Sequence, residues 1–270
     1  MTGPGSARHI CWSYDDPAAL EGYARRFLGE GLARGEQVWF VSTRRPAALM
    51  RWLDRAAAPG DGDAVRFVPL TEAYPTGQVI DPAAQVAAYT AATEQALAAG
   101  RTGLRVVADA TSLVAGAGQL EAFARYEHLI DRYLTRAPMR ATCVYDRSAL
   151  AAPTIVALAC MHPETNVGNV PFRLHADPGH PTATALAGEL DVTTEELFPA
   201  TLRRAQPRPV DGELVMAAGD LRFLDHRSML HLQEYAEAHA ATVVLRTGLR
   251  TAAHLADLLA LRRVRVEAVR

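Results

Sequence analysis

The chain has 270 residues, of which 49% are hydrophobic and 21% are charged, and its formal net charge at pH 7 is −2. This composition is typical of a globular chain of one or two domains and excludes the strongly basic surface of a nucleic-acid-binding protein. We expect no membrane segment and no secretory signal, and three cysteines without paired spacing predict the reducing cytoplasm.

The first half of the chain alternates predicted strands and helices. Asp16 is a predicted helix cap, and Pro17 after it suits the first helical turn. The predicted helix ends at Gly35. Asp81-Pro82 repeats this signal and opens a helix that ends at Gly100. His9 and Cys11 are placed on a first strand, and apolar patterning predicts further strands over 37–42, 64–70, 104–110 and 140–146 and helices over 46–56 and around 120–134. This alternation predicts a doubly wound, mainly parallel α/β sheet, with ligands at the carboxyl ends of its strands.

The second half changes character. Residues 176–211 are rich in Pro, Gly and Thr, which predicts a linker with one short helix at 194–204. Beyond it, the pattern predicts a smaller α/β unit with strands at 214–225, 242–246 and 264–269 and helices at 226–239 and 249–260. The predicted organisation is therefore a domain over 1–175, a linker over 176–211 and a second domain over 212–270.

The stretch "EGYARRFLGEGLARGEQVWFVST" (21–43) resembles the helix and second strand of a RecA-type ATPase core. That resemblance implies a glycine-rich phosphate loop just before it, but "HICWSYDD" (9–16) stands there instead. All 28 basic residues are arginines because the sequence contains no lysine, so the phosphate-binding lysine of such a loop is also missing. The prediction is a RecA-like sheet without a phosphate loop.

The first domain also resembles the MEDS sensory domain of bacterial and archaeal regulators. The residues that carry this resemblance are the motifs "HICWSY", "GLARGEQVWFV", "GLRVVADAT", "ARYEHLID" and "CVYDR" together with His162-Pro163. The family implies that the domain senses a small molecule, with hydrocarbon derivatives as the proposed ligands, and that His9 and Cys11 take part in sensing.

Residues 212–270 resemble the C-terminal part of a STAS domain, the module of anti-sigma factor antagonists and sulfate transporters. "GDLRFLD", "ATVVLRTGLRTAAHLADLLAL" and "VRVEAV" carry this resemblance, whereas the first β-hairpin of a STAS domain has no evident counterpart. The family implies a phosphorylatable residue after Asp225, but Arg227 stands there and Ser228 follows it. We therefore expect a shortened STAS-like domain that is not switched by phosphorylation at that position.

The candidate ligand-binding residues are predicted to line one pocket at the ends of the first, fourth and fifth strands: His9, Cys11, Tyr14, Asp109, Glu127, Asp146, Arg147 and His162. Several of them also have structural interpretations that the sequence leaves open. His9 and Cys11 project to the same face of a strand, where they line a pocket or simply pack. Glu127 belongs to a solvated helix face or to the pocket, and Asp146-Arg147 is a ligand contact or a turn ion pair.

The combined prediction is a cytoplasmic, non-enzymatic sensor in transcriptional or sigma-factor regulation. We expect no catalytic residue, cofactor, bound metal or membrane contact; the partners are a small molecule, an anti-sigma factor or similar protein, and a second copy of the chain. Two alternatives remain open: a metal- or haem-binding redox sensor using His9/Cys11 and Cys160/His162, and a divergent NTP-binding enzyme with Asp109 near the nucleotide.

Overall fold

A computed structural model of the chain describes residues 7–56, 64–74 and 79–269. The chain divides into two compact units. The first contains residues 1–155 and 164–167, and the second contains residues 156–163 and 168–270. The division therefore falls within helix α6 (Ala152–Ala159).

The first unit is built on a six-stranded sheet in which every pairing is parallel. Its strands are β1 (His9–Tyr14), β2 (Gln37–Ser42), β3 (Val65–Pro69), β4 (Leu104–Asp109), β5 (Met139–Asp146) and β6 (Glu164–Thr165), in the order β3-β2-β4-β5-β1-β6. Its helices are α1 (Pro17–Ala33), α2 (Ala47–Ala56), α3 (Leu70–Ala73), α4 (Pro82–Ala98) and α5 (Ala117–Leu134). The predicted mixed α/β fold with a parallel sheet is thus confirmed.

Helices cover both faces of this sheet. Helix α1 packs on β1, β2 and β4 with α2 beside it, whereas α4 and α5 pack against each other on the opposite side. The α1 side is closed by an apolar cluster that includes Leu28, Phe40, Leu49, Val107 and Val144. Burial of both faces explains why the strands read as continuous apolar runs in the sequence.

Local capping fixes where α1 and α4 begin. The Asp16 carboxylate accepts a hydrogen bond from the backbone N–H of Ala18 at 2.9 Å. Asp81 accepts in the same way from Ala83 and Ala84, at 2.9 and 3.1 Å. In both helices the following proline occupies the first turn, where its missing N–H costs no hydrogen bond. Both predicted starts are observed.

The second unit has a sheet of its own. Its strands are β7 (Phe172–Ala176), β8 (Thr184–Leu190), β9 (Glu213–Ala217), β10 (Leu221–Leu224), β11 (Thr242–Thr247) and β12 (Val264–Ala268). They follow the order β10-β8-β9-β11-β12, and β7 pairs with β8. The helices are α7 (Leu197–Ala205), α8 (His226–Ala238) and α9 (Arg250–Leu258). All the pairings between its strands are parallel except the hairpin of β7 with β8.

This sheet corrects the predicted boundaries of the second domain. Residues 176–211 are not a linker, because β8 lies between β9 and β10 and α7 packs against α8. The predicted strand over 214–225 is two strands, separated in the sheet by β8. Residues 172–190, which lie before the predicted second domain, form the antiparallel hairpin of β7 and β8.

Within the described residues, no helix combines the length and the apolar character needed to cross a membrane.

Candidate functional site

Strand β1 directs its predicted site residues to two different faces of the sheet. His9 and Cys11 lie in register with Ala141 and Cys143 of β5, and His9 contacts side chains of α5. Tyr14 has the opposite parity and lies at the carboxyl end of the strand, whereas His9 is its first residue. The single predicted pocket is therefore resolved into two separate groups of residues.

His9 lies between two carboxylates of α5. Its Nε2 is 2.9 Å from Oε2 of Glu127, and its Nδ1 is 3.1 Å from Oδ1 of Asp131. Burial alone would lower the pKa of this imidazole, but the hydrogen bonds and charges of Asp131 and Glu127 outweigh it and raise the pKa to about 9. At neutral pH the fold thus encloses an imidazolium paired with two acids.

Glu127 connects His9 to two further buried groups. Its Oε1 accepts a hydrogen bond from the Tyr145 hydroxyl at 2.8 Å. Burial first, and then the charge of Glu127, raise the pKa values of Tyr145 and of the Cys143 thiol well above their usual range. Glu127 is fully buried, so its interpretation as a solvated helix residue is wrong. We call His9, Glu127, Asp131, Cys143 and Tyr145 the buried centre.

Three residues of the buried centre have the chemistry of metal ligands. One atom each of His9, Glu127 and Cys143 lies within 4.8 Å of the others. Asp131, Cys143 and Tyr145 were not among the predicted site residues. A sequence signal points to Asp131, which follows Glu127 by one helical turn. Cys143 is found only through its pairing opposite Cys11, and Tyr145 only through its contact with Glu127.

Three tyrosines form a second buried group beside α4 and α5. The Tyr74 hydroxyl is 3.1 Å from that of Tyr89 and 3.4 Å from that of Tyr126. Burial raises the pKa of all three phenols, and the charge of Glu127 contributes at Tyr89 and Tyr126. We call these residues the tyrosine cluster. They remain protonated and exchange hydrogen bonds as neutral groups.

A cleft of about 150 Å³ opens next to the tyrosine cluster. Its walls come from β2, β3, α3 and α4, and its lining residues are Trp39, Arg66, Val68, Glu72, Ala73, Gln85, Ala88 and Tyr89. The Arg66 guanidinium lies 5.0 Å from the Trp39 ring centroid and 3.3 Å from the Glu72 carboxylate. Tyr89 belongs to both the lining and the tyrosine cluster. None of the predicted ligand-binding residues lines this cleft.

The carboxyl ends of the strands hold the other predicted residues in a closed polar network. The Tyr14 hydroxyl donates to Oδ2 of Asp109 at 3.5 Å, and the hydroxyl of Ser42 donates to the same oxygen at 3.3 Å. Oδ1 of Asp109 accepts from Thr111 at 2.8 Å. Asp109, the acid that the RecA resemblance places near a nucleotide, thus accepts hydrogen bonds from three side-chain hydroxyls.

Asp146 and Arg147 extend this network. Asp146 pairs with Arg44 at 3.0 Å and accepts two hydrogen bonds from Ser148. Burial raises the pKa of Asp146, but the hydrogen bonds from Ser148 and the charge of Arg44 together outweigh burial. The pKa is therefore below its usual value, and the carboxylate stays charged. Arg147 donates to the Ser13 hydroxyl at 2.9 Å and pairs with Asp15 at 3.3 Å. Asp146 and Arg147 thus each pair with a charged residue from another segment of the chain, Asp146 with Arg44 and Arg147 with Asp15.

Cys160 and His162 belong to the second unit. Burial raises the pKa of the Cys160 thiol to about 12, and the Nδ1–H of His162 donates to the Leu158 carbonyl at 2.8 Å. Both side chains are fully buried.

The predicted switch region of the second unit is a helix cap. Asp225 caps α8 and accepts from the backbone N–H of Ser228 at 2.8 Å. Arg227 is half-exposed and forms an ion pair with Glu195. Ser228 is only 3% exposed. The positive charge at this helix end is therefore partnered by Glu195 rather than by Asp225.

Fold and site together define a mixed α/β protein with a parallel sheet of the doubly wound kind, whose charged centre is buried beneath α5. Its family follows from comparison with known families. The MEDS model, described as the MEthanogen/methylotroph, DcmR Sensory domain, matches residues 8–163, which is more than half of the chain, and the chain belongs to this family. The family gives the chain a sensing or signalling role. Comparison with curated proteins and with solved structures gave no match.

Proposed function

We propose that this chain is a non-enzymatic cytoplasmic sensor whose first unit binds a small molecule and whose second unit transmits the bound state to a protein partner. The observation that carries the proposal is the position of Tyr89, which lines the cleft and hydrogen-bonds within the tyrosine cluster. A ligand in the cleft would contact Tyr89 and disturb its hydrogen bond to Tyr74. Tyr126, the third member, is adjacent in sequence to Glu127 of the buried centre.

The cleft favours a compact ligand with a large apolar part. A cavity of about 150 Å³ is large enough for a benzene-sized molecule. Trp39, Val68 and Ala88 supply apolar surface, while Gln85 and the Arg66–Glu72 pair supply polar groups. This chemistry agrees with the hydrocarbon derivatives that the family resemblance implies. We propose a short-chain molecule carrying one oxygen-containing group.

Protonation argues against a catalytic role for the buried centre. His9 holds its proton between two carboxylates and is a poor general base at neutral pH. The raised pKa of Cys143 keeps its sulfur in the thiol form, which is a weak nucleophile. Both features support a centre that responds to binding rather than one that performs chemistry.

For the output we propose a STAS-like role for the second unit. The hairpin of β7 and β8, the parallel strands that follow and the capped helix α8 support this proposal. An anti-sigma factor or similar protein is the proposed partner, with transcription as the regulated process and a homodimer as the proposed assembly. The burial of Ser228 favours a signal carried by conformation rather than by phosphate on that side chain.

A thermal-shift panel tests the sensing function. The full chain is melted with short-chain alcohols, aldehydes, ketones, carboxylic acids and halogenated hydrocarbons. We expect one class to raise Tm by several degrees in a saturable way, because ligand binding stabilises only the folded state. The exposed lining residue Ala88 offers a blocking variant, Ala88→Trp, which should abolish the shift. The matched control Ala87→Trp, exposed on the same helix but outside the lining, should retain it.

No saturable shift with any class would contradict the proposed function. A shift that persists in Ala88→Trp but disappears in Asp109→Asn would place the ligand at the strand ends instead.

A further inference from the structure

We propose that the buried centre is a binding site for a single divalent transition-metal ion of the zinc class, held by His9, Glu127 and Cys143. The proposal depends only on the geometry of these residues and is independent of the proposed sensing function.

The ligand atoms converge from three separate elements. His9 begins β1, Glu127 lies in the middle of α5, and Cys143 lies within β5. One imidazole nitrogen, one carboxylate oxygen and the thiol sulfur all lie within 4.8 Å of one another, close enough to share one ion.

The donor set selects the class of ion. A nitrogen, a sulfur and an oxygen suit zinc and similar borderline metals, with ligand distances of about 2.0–2.3 Å. Magnesium and calcium prefer oxygen ligands alone and would not be held well by Cys143. All three side chains are buried, so an ion at this site would be shielded from bulk solvent.

Two neighbouring side chains already orient these ligands. The Nδ1 of His9 is 3.1 Å from Asp131, which directs Nε2 towards Glu127. Tyr145 donates to Oε1 of Glu127 at 2.8 Å, so Oε2 is the oxygen that faces His9. Metal-binding histidines commonly hydrogen-bond a carboxylate through the other ring nitrogen, and ligating carboxylates are themselves hydrogen-bonded. The buried centre has both partners.

The charges also suit a cation. Glu127 and Asp131 bring two carboxylates to the imidazole of His9. A divalent ion entering with a thiolate and a neutral imidazole replaces the protons held by His9 and Cys143, and these protons leave to solvent. The ion would thus take over the role of neutralising the two carboxylates.

Cobalt(II) titration of the full chain, stripped first with a chelator, tests the site. We expect one equivalent of Co²⁺ to bind, with a sulfur-to-cobalt charge-transfer absorption band, and one equivalent of Zn²⁺ to displace it. Cys143→Ser should lose the band, and Glu127→Gln, which is nearly isosteric, should weaken binding. Asp131→Asn, which removes no ligand but removes the charge that orients His9, should weaken binding by roughly 10–100-fold.

Cys11→Ser is the matched control, because Cys11 is buried on the adjacent strand and is not one of the three ligands. It should keep both the band and the stoichiometry. Failure of the wild-type chain to bind either metal would overturn the proposal, and so would a band that survives Cys143→Ser or disappears in Cys11→Ser. Circular dichroism checks that each variant is folded. If Cys143→Ser does not fold, Glu127→Gln decides, and its unchanged affinity would also overturn the proposal.

Discussion

At the residue scale, His9 is an enclosed positive charge that lies between two acids of α5. The imidazolium is stabilised by Asp131 and Glu127, while burial first and then the charge of Glu127 raise the cost of ionising Cys143 and Tyr145 nearby. A buried ion pair stabilises strongly only while both partners keep their charges, because removal of either charge leaves the other uncompensated. The stability of the metal-free protein should therefore depend on pH.

We predict that the chelator-treated protein loses stability between pH 6.5 and 8.5. The folded pKa of His9, about 9, lies above its unfolded value of 6.5. The stabilisation is thus fully present below pH 6.5 and is lost as pH rises towards 9, by on the order of 2–3 kcal/mol over this window. Urea denaturation at each pH measures this loss of stability. The series ends at pH 8.5 because the cysteine thiols of the unfolded chain ionise above that pH.

His9→Gln should remove this dependence, while His180→Gln, a change at an exposed histidine of the second unit, should leave it in place. A wild-type stability that is flat or rises across the window would show that His9 is not held as an imidazolium.

At the element scale, the helices were easier to predict than the second sheet. Asp16-Pro17 and Asp81-Pro82 determine the starts of α1 and α4 through neighbouring residues alone. Strands β7 and β8 depend on pairing with each other, and the Pro- and Gly-rich turn between them, at 177–183, looks like a linker when read in isolation. The amino-acid composition indicates the turn at 177–183, but it does not indicate that β7 and β8 pair on either side of it.

The same limit applies to the candidate site. The alternation along β1 places His9 and Cys11 on one face, and this could be predicted from sequence. That Asp131 reaches His9 depends on the packing of α5 against the sheet, which no local pattern encodes. The cleft is harder still, because Trp39, Arg66 and Tyr89 come from three elements far apart in the chain.

Strand β8 has a close backbone approach that only glycine permits. Gly188 has φ +96°, and a Cβ there would lie 2.4 Å from the Pro171 carbonyl oxygen. We predict that Gly188→Ala lowers the free energy of unfolding by on the order of 2 kcal/mol or more. Gly118→Ala, in α5 with no atom within 4 Å of its added Cβ, should instead be neutral or stabilising. Thermal denaturation measures both variants, and equal Tm values for Gly188→Ala and Gly118→Ala would contradict the prediction.

The start of α8 should not act as a phosphorylation switch. Ser228 is buried, and its backbone N–H is already satisfied by Asp225. We predict that serine kinases leave it unmodified in phosphosite mapping by mass spectrometry. Ser228→Asp should lower Tm, because it buries a carboxylate, whereas Ser228→Ala should change it little. Stoichiometric phosphate on Ser228 in the folded protein would refute this prediction.

At the scale of the whole molecule, the carboxyl ends of the parallel strands carry acidic side chains, which do not favour the binding of a nucleotide. Asp15, Asp109 and Asp146 lie at or just beyond the strand ends, where phosphates would meet their negative charge. Arg44 and Arg147 already pair with Asp146 and Asp15. The sequence contains no lysine that could replace them.

We therefore predict no saturable binding of Mg-ATP in calorimetry at millimolar nucleotide, and no release of phosphate. Micromolar affinity, or hydrolysis that is lost in Asp109→Asn, would restore the interpretation as a divergent NTP-binding enzyme.

We propose that the first unit senses a small molecule at the cleft beside the tyrosine cluster. Amide hydrogen exchange of the full chain, with and without the compound that most raises Tm in the panel, measures this directly. We predict slower exchange in α3 (Leu70–Ala73) and α4 (Pro82–Ala98), with the protection lost in Ala88→Trp. Protection confined to the segments that follow β1, β4 and β5, or protection unchanged by Ala88→Trp, would contradict the claim.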